Sequence, residues 1–81
     1  MLKSMKFNSY IYCVKAITDE LILIGLEKGE IQIYNFIKDE TIKKISAHSS
    51  AVRQLILLSN GDLLSISQSG EIIILKMFEN S

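Results

Sequence analysis

Apolar residues run through this chain in short blocks separated by polar breaks, and the blocks are too short and too β-branched for helices. Residues 10–17, YIYCVKAI, are aromatic and β-branched, which suits a pleated surface. Thr18-Asp19-Glu20 breaks that run with turn-compatible residues, and residues 21–26, LILIGL, form the next strand. Glu27-Lys28-Gly29 reads as a tight turn into a strand over 30–36, and a polar loop at 38–40 leads to residues 41–46, TIKKIS. The charges at the centre of that block suit an exposed sheet edge. The cycle then restarts. A strand at 51–58 precedes Asn60-Gly61, a strong hairpin signal; strands at 63–67 and 71–78 follow across the turn Gln68-Ser69-Gly70. Helical spacing of Val52, Leu55 and Ile56 would also allow a helix over 51–58, but the block's counterpart at 10–17 is strand-like. A further short strand is expected within residues 1–8, with Leu2, Met5 and Phe7 as its apolar positions.

The restart is an internal repeat. Residues 22–35, ILIGLEKGEIQIYN, superpose on residues 63–76, LLSISQSGEIIILK, at a spacing of forty-one. Gly29 meets Gly70, Glu30 meets Glu71, and Ile31 and Ile33 meet Ile72 and Ile74. Blocks such as LILIGL and EIIILKMF lack polar alternation, so both of their faces are expected to be covered, as in stacked sheets.

A period near forty with four strands per period, and a His ahead of the first strand, resembles the blade repeat of the WD-repeat (WD40-type) β-propeller family. Ala47-His48 stands where the family has Gly-His, Leu64-Ser65-Ile66-Ser67 fits its Ser-rich second strand, and Gly70 fits the turn before the third. The resemblance implies an all-β chain of two four-stranded antiparallel blades, a partial propeller. Its strand order is d-a-b-c-d-a-b-c from inner strand a to outer strand d, with repeats at about 1–40 and 41–81. It also implies a structural set of His48, Ser65, Ser67, Gly29, Gly70 and Tyr34. The family's Asp and Trp are replaced by Ser69 and Leu75 here, and by Lys28 and Tyr34 in the first copy, so the full side-chain network is not expected in either blade. Two blades do not close a ring, so further blades are expected from the same parent chain or from other copies.

Charge and composition narrow the function. Nine basic and nine acidic residues cancel, and no basic stripe points to nucleic acid or an anionic membrane. One cysteine, Cys13, allows neither an internal disulfide nor a cysteine-built metal site, and no Asp/His cluster has ligand spacing. A cytoplasmic or nuclear location follows by default. His48 beside Ser49 and Ser50 has no carboxylate nearby in sequence to orient it, so it reads as a structural histidine. Glu30 and Glu71 read as solvated rim. The expected role is a non-catalytic protein-interaction scaffold with no metal and no cofactor. Its candidate partner-facing loop residues are Glu27, Lys28, Asp39, Glu40, Ser69 and Glu71. The alternative is a self-assembling oligomeric propeller that binds a small ligand or carbohydrate between blades.

Overall fold

The computed structural model describes Ser4 and residues 6–76. All regular structure among them is β: β1 (Ile11–Ala16), β2 (Leu21–Leu26), β3 (Glu30–Asn35), β4 (Glu40–Ser46), β5 (Val52–Leu57), β6 (Leu63–Ser67) and β7 (Ile72–Leu75). They form two antiparallel meanders: sheet 1 in the order β1-β2-β3-β4 and sheet 2 in the order β5-β6-β7. The sheets meet mainly where β1 and β2 pack against β5.

Each hairpin has a local cause. Thr18 Oγ1 accepts from the Glu20 and Leu21 amides, both at 3.1 Å, and folds the β1–β2 turn. Asn35 Oδ1 does the same for Ile37 and Lys38 ahead of β4, and Asn60 Oδ1 for Asp62 ahead of β6. Pairings such as Leu23 with Ile33 and Leu64 with Ile74 keep the forty-one-residue register.

The core lies in the joint between the sheets. Leu23 and Ile31 from sheet 1 close on Val52, Leu55 and Leu63 from sheet 2, with Cys13, Ile33 and Ala47 at the margin. Gly25 permits this closeness, since a Cβ there would lie 2.5 Å from Cys13 Sγ and 2.8 Å from Val52 Cγ1. A second cluster, Ile24, Leu26 and Tyr34, lies on the opposite face of sheet 1 beneath Phe7.

Two expectations need correction. Among the described residues sheet 1 has four strands and sheet 2 three, where two four-stranded units were expected. Most of the expected strand within 1–8 lies outside the described residues; Ser4 and residues 6–8 are not in a strand, and Phe7 packs edge-on against Tyr34 at 5.2 Å instead. The last strand stops at Leu75, and its outer face is open, with Ile72 and Ile74 exposed. The unbroken apolar run of β7 is therefore not covered on both faces by the described residues. In β2 it is, from Leu23 to Leu26.

Candidate functional site

The loop between β4 and β5 brings together a cluster of polar side chains, His48, Ser50, Ser65, Ser67, Ser69 and Glu71. Its backbone is tied to sheet 1 because the Ala47 and His48 amides both donate to the Gly29 carbonyl, at 3.1 Å each. Gly29 has φ +87°, and a Cβ there would fall on the His48 carbonyl and lie 2.8 Å from the Ser50 oxygen. The β2–β3 turn thus seats the loop because it ends in glycine.

From that seat His48 enters the joint with its ring fully buried. Nδ1 lies 2.9 Å from Glu71 Oε1, and Nε2 lies 2.8 Å from Ser65 Oγ. A carboxylate only accepts, so Nδ1 donates to Glu71; in the tautomer that leaves Nε2 without a proton, Nε2 accepts from the Ser65 hydroxyl. That relay has the donor order of a serine hydrolase triad. Its hydroxyl, however, sits mid-strand in β6 at 0% exposure, packed in the joint and enclosed from solvent. The ring has a carboxylate after all: it arrives from twenty-three positions downstream, across the sheet.

A serine ladder continues the cluster outward. Ser67 Oγ accepts from the Glu71 amide at 3.1 Å and lies 3.0 Å from Ser69 Oγ, and Ser50 Oγ donates to Ser69 Oγ at 3.2 Å. His48 therefore pairs with Ser65, while Ser67 and Ser69 hold the β6–β7 turn onto the same loop. Gly70 has φ +96° and no atom within 4 Å of where its Cβ would stand.

The counterparts in sheet 1 are apolar. Forty-one positions before His48 stands Phe7, before Ser65 stands Ile24, and before Leu75 stands Tyr34. Phe7, Ile24 and Tyr34 share the second apolar cluster. Glu30, the counterpart of Glu71, instead accepts from Gln32 Nε2 at 2.9 Å. Tyr34 donates its phenol to Asp39, whose carboxylate, with help from burial, holds the phenol above its ordinary pKa. The Cys13 thiol donates to the Val52 carbonyl at 3.2 Å; burial raises it, partly offset by a hydrogen bond with the Gly25 backbone.

The candidate partner-facing residues divide between two ends of the sheets. Glu27, Lys28, Ser69 and Glu71 lie at the end of the β2–β3 and β6–β7 turns, beside the His48 loop. Asp39 and Glu40 lie at the opposite end, where β3 turns into β4. Lys28, Asp39, Glu40 and Ser69 are exposed; Glu27 is partly covered; the Glu71 side chain is 56% exposed although it holds His48. At the first end an open groove of about 590 Å³ is lined by Phe7, Asn8, Ser9, Tyr10, Glu27 and Lys28. Sequence reasoning missed this groove, because Phe7 and Tyr10 read as strand residues.

Among the described residues no group of three or more His, Cys, Asp or Glu is placed to hold a metal, and no helix is long and apolar enough to cross a membrane. Compared with known proteins, the chain matches no family model, no curated protein and no solved structure.

Proposed function

We propose that this chain is a non-catalytic, WD-type repeat unit that serves as a protein-interaction scaffold. What supports this is the use to which His48 is put. It is the chain's one histidine, and both of its ring nitrogens are engaged in linking the β4–β5 loop to β6 and β7. The same position in the other repeat is filled by Phe7, so the role that recurs is packing between loop and sheet, not proton transfer. His48 and Ser65 are also the two residues through which the resemblance to WD blades implies a structural link, with Glu71 here supplying the carboxylate.

Rigid strands hold the loop-end groove open beside this link. A docked peptide would meet the ring of Tyr10 and the opposite charges of Glu27 and Lys28, a mixture of apolar anchor and polar rim suited to peptide capture. A peptide array probed with the wild-type chain and with a Tyr10→Ala/Lys28→Glu variant tests the reading. The expected result is a set of bound peptides whose signal falls tenfold or more in a variant that keeps its β spectrum. Peptide binding indifferent to both substitutions would overturn it. So would hydrolytic turnover that vanishes in a still-folded His48→Ala variant.

A further inference from the structure

Because the chain repeats at a spacing of forty-one, each side of the joint between the sheets has a counterpart elsewhere. On the sheet 1 side the joint is built on Leu23 and Ile31, both 0% exposed, with Ile33 at its margin. Their counterparts Leu64, Ile72 and Ile74 lie on the outer face of sheet 2, where Ile72 is 62% and Ile74 59% exposed. On the sheet 2 side the joint is built on Val52 at 0% and Leu55 at 7%. Their counterparts Ile11 and Val14 in β1 are 45% and 55% exposed. Apart from Ile37 and Ile42, every exposed large hydrophobic among the described residues lies in or beside β1 or on the outer face of sheet 2. The two apolar surfaces left open are thus the two halves of a joint that the chain has already made once.

We propose that these surfaces bind each other between copies: the outer face of sheet 2 in one chain docks on the β1 side of sheet 1 in a second, as sheet 2 docks on sheet 1 within the chain. Three features favour a second copy over an unrelated protein. Leu64, Ile72, Ile74, Ile11 and Val14 correspond to Leu23, Ile31, Ile33, Val52 and Leu55 of the existing joint. Gly70 keeps the left-handed backbone that Gly29 uses to seat a loop, with open space where Gly29 meets His48. The segment that corresponds to the seated loop, around Phe7, already lies on sheet 1 beside the surface that would dock. Three positions differ, one of them Cys13 at the margin of the joint, which is matched by Gln54. Gly25, which admits Val52, is matched by Ile66, so the joint between copies is wider at that corner; Ile56 in place of Lys15 makes the same face more apolar. The contact is heterologous, each copy using a different surface, so it propagates from chain to chain into rings or filaments. The contact adjoins the groove at Phe7, but Val14 and Ile72 are not among the groove's lining residues, so substitutions there test this contact separately from peptide binding.

Light scattering on a size-exclusion column, across a hundredfold range of concentration, tests it. The wild-type chain is expected to exceed the mass of one chain and to rise with concentration. Ile72→Lys and Val14→Lys are each expected to give a single chain with its β spectrum intact. Mixed one to one, they are expected to give a species of two chains, because each variant retains the surface that the other lacks. Where a lysine variant loses its β spectrum, Ile72→Thr and Val14→Thr, which keep the β-branched shape, carry the same mixing test. Three results would overturn the proposal: a wild-type chain that stays single throughout, a Val14→Lys variant that still associates through sheet 2 alone, or a mixture that makes no pair.

Discussion

Gly29 and Gly70 occupy the same place in the two repeats, with nearly the same backbone, φ +87° and +96°. Replacing each by alanine separates backbone strain from packing. The strain is common to both, since an L side chain in the left-handed region costs roughly 1–2 kcal/mol. At Gly70 that is the whole effect, because nothing lies within 4 Å of the new methyl. At Gly29 the methyl falls on the His48 carbonyl and crowds the Ser50 oxygen, and neither is the end of a flexible side chain. The loop must move. Doing so loosens the two amide bonds from Ala47 and His48 to the Gly29 carbonyl and draws His48 away from Ser65 and Glu71. At about 1 kcal/mol for each of these four bonds, the total at Gly29 comes to about 5–6 kcal/mol. A domain of this length holds roughly 4–12 kcal/mol in all, so Gly29→Ala leaves it at the edge of unfolding. Urea titration followed by circular dichroism is the assay, run at a dilution where one chain is the species. With a slope of about 1 kcal/mol/M, Gly70→Ala moves the midpoint down by roughly 1–2 M, and Gly29→Ala removes most or all of the folded baseline. Equal shifts for the two variants would refute the seating of the His48 loop on Gly29.

Two further outcomes follow from the polar contacts. Ser65→Ala leaves the buried Nε2 of His48 without its donor and is expected to cost about 1–3 kcal/mol; in a Ser65→Ala/His48→Phe double variant, which imitates the Phe7 arrangement, the two losses should be less than additive in urea midpoints. The Tyr34 phenol is raised above its ordinary value of 10.0 in the folded chain, so the folded state keeps that proton when the unfolded state has lost it. Its contribution is therefore complete below pH 10 and declines as pH climbs through the raised value; Tyr34→Phe is expected to flatten that decline, read as urea midpoints between pH 8 and 11.

The boundaries of β2 and β6 were legible because each apolar run is closed by turn residues whose role is local. The exposed edge of β4 was legible for a similar reason, since lysines at its centre tolerate water and not a core. The outer face of β7 was not. An unbroken run of isoleucines says that both faces are apolar, but whether the cover comes from the same chain depends on which sheets lie beside it. Glu71 shows the other limit. Its repetition as Glu30 suggested a solvated rim at both places, yet equivalent positions took different partners because the histidine was not repeated. Phe7 offers Glu30 nothing to bond, and Glu30 turns to Gln32. A partner set twenty-three positions away by sheet pairing leaves no local trace in the sequence.

The contrast between the two repeats bears on how the molecule is organised. Within the chain, the joint contains a polar link whose members are buried and mutually satisfied: His48 must face both Ser65 and Glu71, or a buried group loses its partner. Such a link is directional and allows one register of loop on sheet. On the β1 side of sheet 1 Phe7 and Ile24 stand at the positions of His48 and Ser65, and they pack with Tyr34, whose phenol bonds Asp39 and not Phe7 or Ile24. Apolar packing tolerates small shifts that a hydrogen-bonded pair does not. The polar link therefore fixes the β4–β5 loop on sheet 2, while the Gly29 carbonyl ties that loop to sheet 1; the apolar version sits beside the surface that remains open. If a second copy docks there as proposed, its Ile66 in place of Gly25 would meet apolar packing that can adjust by sliding.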